Sequence, residues 1–192
     1  MNGPPRLFVA VPLDDAARSA VEEIVGRVRA TEPEGRGVRW VRLDGLHLTH
    51  RFLGPTPEDR IGDLEGAIWA AATGHGPISL QLAGAGAFPA TGRPRALWLG
   101  VEDGTDELSA LANRLDDVLA TLGWARDDRP YRPHLTLARA DGVRSGPATV
   151  AALRSAAQGL EIPATVDRIV LFESVTGGGP ARYLSRAETP LA

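Results

Sequence analysis

Cysteine and lysine are both missing from the 192 residues, the 21 basic side chains all being arginine. The first absence excludes disulfides, thiolate nucleophiles and cysteine zinc sites. The second excludes a Schiff-base or phosphate-loop lysine. No apolar run approaches the ~18 residues of a bilayer span, and Met1-Asn-Gly-Pro-Pro lacks the basic and apolar regions of a signal peptide. A soluble, cytoplasmic protein with no membrane partner is expected. Positive charge is also short: 21 basic against 24 acidic residues leave a net charge of −3, too little to hold a duplex by phosphate neutralisation, so any nucleic-acid role sits in a local site. What is present, 43% hydrophobic and 23% charged residues, suffices for a packed core at the usual size of one domain.

The chain reads as alternating strands and helices. Leu7–Val11, between Pro5 and Pro12, is a short buried strand. Asp14 and Asp15 open a helix whose Ala17, Val21, Ile24, Val25 and Val28 follow helical spacing, with Pro33 and Gly35 as its stop. Val38–Arg42 and Leu46–Phe52 read as extended pieces joined by a hairpin-type turn at Asp44-Gly45. A helix from Pro57 places Ile61, Leu64, Ile68 and Trp69 on one side, and a strand follows at Ile78–Leu82. The second half repeats the order: strand Ala96–Val101, helix Thr105–Leu122, strand His134–Ala138, helix Thr149–Gln158 and strands Val166–Phe172 and Arg182–Arg186. His47 to Ile78 is 31 residues and His134 to Val166 is 32, which points to an internal duplication of about 1–90 and 91–192 within a single unit, 1–192.

Two segments stand out, Leu46-His-Leu-Thr-His-Arg-Phe-Leu-Gly54 and Pro133-His-Leu-Thr-Leu-Ala-Arg139. On a strand His47 shares a face with Thr49, ~6.7 Å along the chain, as His134 does with Thr136. Leu46, Leu48 and Phe52 point the other way, as do Leu135 and Leu137. Each half thus offers an imidazole and a hydroxyl to one open side. Facing each other across a cleft, the pairs suit phosphodiester chemistry: one neutral imidazole takes a proton from water and a protonated one gives a proton to the leaving alkoxide. Threonine hydroxyls and a guanidinium hold the non-bridging oxygens, and no metal or cofactor is needed.

These segments resemble the two His-x-Thr-x signatures of the two-histidine (2H) phosphoesterases, and within them the RNA 2′,3′-cyclic phosphodiesterase family, also called 2′-5′ RNA ligase. Leu7-Phe-Val-Ala-Val-Pro12, Gly86-Ala-Phe-Pro89, Arg95-Ala-Leu-Trp-Leu-Gly100 and Leu171-Phe-Glu-Ser174, followed by Gly179 and Tyr183, agree, so the resemblance covers nearly the whole chain. It implies a bilobal α/β (α+β) fold with pseudo-two-fold symmetry, two antiparallel-rich sheets lining a central cleft and helices outside. It also implies metal-independent opening of a 2′,3′-cyclic phosphate at an RNA end to leave a 2′-phosphate, with a weak reverse ligation. His47 and His134 carry over as catalytic residues, as acid and base respectively, with Thr49 and Thr136 on the phosphate. Arg139 matches a family arginine, although strict alternation turns it away from His134.

One departure is His50, where the family has an apolar residue. Alternation puts it behind the sheet, so His47 and His50 face opposite ways and cannot share a metal ion. Phe52, Trp40 and Tyr131 are candidates to stack a terminal base, against the alternative of core packing. Trp69, Trp98 and Phe172 read as core, and Arg51, Arg129 and Arg132 as possible guides for a phosphate backbone. The expected partners are RNA ends or small cyclic nucleotides, met by a monomer. The alternatives are a slow or non-catalytic RNA-end binding protein of the same fold, a phosphodiesterase for small cyclic or 2′-5′-linked nucleotides, and a metal-dependent hydrolase on His47, His50 and His134.

Overall fold

The computed structural model of the chain describes residues 3–31, 37–140, 144–177 and 179–192. Among them are nine strands, β1 (Arg6–Pro12), β2 (Arg39–Trp40), β3 (His47–Pro55), β4 (Ile78–Phe88), β5 (Ala96–Asp103), β6 (His134–Arg139), β7 (Glu161–Val166), β8 (Arg168–Val175) and β9 (Arg182–Pro190). Four helices accompany them, α1 (Asp15–Arg29), α2 (Ile61–Ala72), α3 (Thr105–Thr121) and α4 (Gly146–Ala156). The strands pair antiparallel in the order β7-β4-β5-β6-β3-β1-β8-β9, with β2 on β6. This order is symmetric about the β6–β3 junction, where Leu48 lies opposite Leu135. The two expected sheets are therefore lobes of one, each with a motif strand at its inner edge.

β1 is an inner strand, and its run Leu7–Val11 is buried throughout. α1 follows because the Asp14 carboxylate accepts from the Ala17 amide at 2.8 Å, capping the helix. Its second oxygen accepts from the Thr165 amide at 2.7 Å, fixing that helix end to β7. The stop signals Pro33 and Gly35 lie outside the described residues. α3 starts at Gly104, whose φ of +82° and close approach to the Ser79 carbonyl, 2.7 Å from where a Cβ would lie, admit only glycine. α2 and α3 pack together on one lobe, α1 and α4 on the other. The core fills the helix side of the sheet with Leu48, Leu97, Leu99, Leu135, Leu137 and their neighbours.

Three sequence expectations need correction. Val38–Arg42 does not form a hairpin with Leu46–Phe52: β2 pairs with β6 instead, and Leu43–Gly45 is a 3₁₀ turn. Gly45 does not adopt the positive φ of a tight hairpin. Its missing Cβ admits the Tyr183 ring, 3.1 Å from where that atom would lie. Val166–Phe172 is not one strand: Asp167 separates β7 from β8, which stand six places apart in the sheet, so the sheet must curl to bring them together. Trp69 is 64% exposed, because Leu64, Ala67, Ile68 and Ala71 already complete the buried face of α2.

Candidate active site

Leu48 and Leu135 are fully buried on the helix side, so His47, Thr49, His134 and Thr136 occupy the opposite face, all half-buried. Antiparallel register about the Leu48–Leu135 pair sets His47 across from Thr136 and Thr49 across from His134. The two histidines then lie on a diagonal, a separation of roughly 7–8 Å for ideal strands. Each imidazole is held in the same way. His47 Nδ1 meets the Gly45 carbonyl at 2.7 Å, and His134 Nδ1 meets the Arg132 carbonyl at 2.7 Å. A carbonyl only accepts, so both Nδ1 atoms carry hydrogen and both Nε2 atoms are left for a substrate.

The faces do not alternate strictly, and the exceptions are matched. In the β1–β3 ladder Ala10 faces Thr49 and Val9 faces Arg51, so His50 is the extra residue of a bulge. In the β5–β6 ladder Trp98 faces Thr136 and Leu97 faces Ala138, so Leu137 is the extra residue. Both bulges follow the motif threonine directly. His50 and Arg51 therefore both turn to the helix side, as do Leu137 and Ala138, and the fifth residue after each histidine returns to the cleft face. These residues are Phe52 and Arg139. Phe52 is 69% exposed beside Phe8, the ring centroids 6.0 Å apart, which corrects its expected inward orientation. Arg139 is exposed, and its charge acts on both His134 and Tyr183.

Aromatic rings frame both imidazoles. Phe8 and Tyr183 each lie 4.9 Å from His47 and Phe172 lies 5.8 Å away, while Phe88 lies 4.9 Å and Trp98 6.5 Å from His134. Trp98 and Phe172, expected in the core, thus border the candidate site, because they occupy the cleft face of β5 and β8. Phe8, Phe88 and Tyr183 were not assigned site roles from the sequence. Their signal in the sequence is their place in the segments that carry the resemblance, Leu7–Pro12, Gly86–Pro89 and Tyr183. Burial pushes the His47 imidazolium down to about 4, against the Gly45 hydrogen bond and aided by the charge of His134. His134 is also held below its ordinary value, by burial first and then by Arg139, against the Arg132 hydrogen bond.

The remaining candidates fall elsewhere. Arg51 is not in the cleft: the bulge sends it behind β3, where it pairs with Asp116 at 3.3 Å and donates to the Ala125 carbonyl. Trp40 and Tyr131 pack against the core rather than standing free for a base. Arg129 is exposed and pairs with Asp127 at 3.4 Å, and Arg132 is exposed. His50 is buried against Tyr131, their rings 5.0 Å apart, with Nδ1 3.3 Å from the Leu48 carbonyl and Nε2 without a partner among the described residues. Among the described residues no three His, Cys, Asp or Glu side chains gather as metal ligands, and no helix is long and apolar enough to cross a membrane.

Residues 12–178 match the family model of the 2′-5′ RNA ligase superfamily. The chain is 36% identical over 134 residues to the RNA 2′,3′-cyclic phosphodiesterase of Archaeoglobus fulgidus, covering 70% of this chain and 72% of that one. It is 33% identical over 140 residues to the protein of the same name from Methanothermobacter thermautotrophicus, covering 73% of each. Among solved structures it resembles TT0787 of Thermus thermophilus, with a TM-score of 0.76, 28% identity and 97% of each chain covered. It also resembles E. coli LigT complexed with 3′-AMP, with a TM-score of 0.71, 28% identity and 98% of each chain covered.

Proposed function

The chain belongs to the 2′-5′ RNA ligase superfamily of 2H phosphoesterases, and from that premise we propose that it hydrolyses the 2′,3′-cyclic phosphate at an RNA end to a 2′-phosphate, with His47 and His134 as its acid and base. One observation carries the assignment: two imidazoles on adjacent antiparallel strands, each with Nδ1 tied to the carbonyl two residues before it and Nε2 left for substrate. Water adds to phosphorus as His134 Nε2 takes its proton. The bond from phosphorus to the 3′ oxygen breaks, and His47 Nε2 supplies the proton that makes the 3′ hydroxyl. Thr49, Thr136 and Arg139 hold the non-bridging oxygens, whose charge grows during attack. Phe52 stacks the terminal base.

The surroundings support this division of roles. His134 is the more open imidazole, reachable by water, and the charge of Arg139 opposes its protonation, which suits a base. His47 is the more enclosed. Burial alone keeps it neutral at pH 7, and a phosphate anion against Nε2 reverses that by placing an opposite charge in a poorly screened site. Substrate binding therefore loads the acid. The matched bulges and the symmetric strand order support the duplication of about 1–90 and 91–192 within one bilobal unit. By position in the sheet the counterpart of β4 is β8, which begins at Arg168, two residues past the Val166 landmark.

The test is incubation with 2′,3′-cyclic nucleotides and oligoribonucleotides in EDTA, with phosphorus NMR of the product. Full turnover to the 2′-phosphate is expected. Dependence on a divalent ion refutes the two-histidine mechanism, and a 3′-phosphate product means that the 2′ oxygen leaves.

A further inference from the structure

A second recess adjoins the surroundings of His47. It measures about 350 Å³ and is bounded by the ends of β1 and α1, the 3₁₀ turn before β3, and the faces of β8 and β9. Three of its lining residues also belong to the frame of His47: Gly45, whose carbonyl fixes Nδ1, and the rings of Phe172 and Tyr183. Phe52 is not among the lining residues and adjoins the frame through Phe8. The frame of His47 thus has two neighbours that share no residue, an exposed aromatic ring and this recess.

The lining identifies the kind of occupant. Phe172 and Tyr183, both half-buried, supply the aromatic surface, and the buried Leu46 and Val170 complete the apolar lining. The charged residues are two arginines, Arg18 and Arg168, and three carboxylates, Asp15, Asp44 and Glu188. The arginines already face acids: Arg18 lies 2.8 Å from Asp15, and Arg168 lies 3.5 Å from Glu188. No positive field remains to attract a phosphate. A neutral planar group with a flat apolar face and an edge of donors and acceptors fits both the surface and the charge balance. A nucleobase is such a group.

We propose that this recess takes the base of the nucleotide next to the terminal one, so that the enzyme engages two nucleotides of an RNA end, the terminal base on Phe52 and its 5′ neighbour beyond Tyr183. This rests on the cyclic phosphodiesterase reading above. With the cyclic phosphate at His47 and the terminal base on Phe52, the chain leaving the terminal ribose has the recess as the other neighbour of the same imidazole. A mononucleotide leaves it empty.

The experiment compares kcat/KM for a mononucleoside 2′,3′-cyclic phosphate with that for a dinucleotide ending in the same cyclic phosphate, in the parent protein, in Glu188→Trp, which fills the recess from its rim, and in Glu188→Ala, which widens it. The readout is the ratio of the two substrates within each protein, so a loss common to both cancels. The parent is expected to favour the dinucleotide by about 5- to 100-fold, the effect of one stacked base. Glu188→Trp should bring the ratio close to one, and Glu188→Ala should keep it. Equal turnover of both substrates by the parent, or a ratio that survives Glu188→Trp, overturns the recess and leaves the diesterase reading standing. Turnover of neither substrate by the parent overturns both.

Discussion

His50→Leu replaces a buried imidazole by the apolar residue that alternation would favour behind β3, and its effect on stability can be worked out. His50 is buried, its Nε2 has no partner among the described residues, and burial pushes its protonation down to about 4. In the unfolded chain the same group titrates near 6.5. Above pH ~6.5 it is neutral in both states and pH has no effect through it. As pH falls from ~6.5 toward about 4, the unfolded chain takes up a proton that the folded chain refuses, so stability drops through that window. At pH 5 the loss amounts to ~2 kcal/mol. His47 contributes in the same direction in both proteins and cancels in the comparison. Urea unfolding of parent and variant should show the two within about 1 kcal/mol at pH 7.5, since an unpaired buried nitrogen goes together with the Nδ1 contacts to the Leu48 carbonyl and the Tyr131 hydroxyl, and the leucine protein should gain about 2 kcal/mol relative to the parent between pH 7.5 and pH 5. kcat/KM should stay within a few-fold, because His50 lies behind the cleft. A stability difference that does not change between pH 7.5 and 5 refutes the burial argument. A loss of turnover as large as that from His47→Ala refutes the bulged register.

His47→Ala and His134→Ala should each lower kcat/KM by roughly 10²–10⁴, the contribution of a positioned proton-transfer group, within a bell-shaped pH profile. A substrate whose leaving group needs no protonation should rescue only the His47 variant, and rescue of the His134 variant alone would reverse the roles. Arg139→Ala removes a charge that opposes protonation of His134, so KM should rise and the acidic limb of kcat/KM should move to higher pH. An unmoved limb would detach Arg139 from the base. Gly86→Ala places a Cβ inside contact distance of the Trp98 ring, which borders His134, so turnover should fall. Gly26→Ala, on α1 with open space around it, should instead raise stability by ~0.5–1 kcal/mol. Thermal melts with kcat/KM separate the two, and an active Gly86→Ala would show that the indole has no part in placing His134.

The motif faces were legible because they depend on two residues of strict alternation. His47, Thr49, His134 and Thr136 share a face wherever Leu48 and Leu135 are buried, and a run such as His-Leu-Thr leaves little choice. The residues that follow were not legible in the same way. A bulge is a relation between two strands, and neither His-Arg after Thr49 nor Leu-Ala after Thr136 carries the glycine that would announce one. Parity therefore sent Phe52 inward and Arg51 outward, the reverse of what the ladder with β1 produces. The Asp44-Gly45 pair misled for a related reason. It carries the local signature of a hairpin, yet its glycine serves a contact with Tyr183, 138 residues away in the chain. Trp69 followed helical spacing, but the alanines of α2 fill the buried face without it.

The matched bulges also bear on how a symmetric frame handles an asymmetric substrate. Without them the cleft face after each threonine would present Arg51 in one lobe and Ala138 in the other. With them it presents Phe52, in contact with Phe8 of the His47 frame, and Arg139, whose charge acts on His134 and on Tyr183. An aromatic ring accepts a base, and a guanidinium accepts an anion and opposes protonation of its neighbour. In the proposed reaction the leaving 3′ oxygen stays attached to the sugar and therefore to the base, so the proton donor must lie on the side that holds the nucleoside. Phe52 and His47 share that side through Phe8. In that reaction in-line attack brings water from the opposite side, where His134 is the more open imidazole and Arg139 opposes its protonation. In the proposed reaction the pseudo-two-fold supplies two imidazoles, and the fifth residue after each one distinguishes the side that gives the proton from the side that takes it.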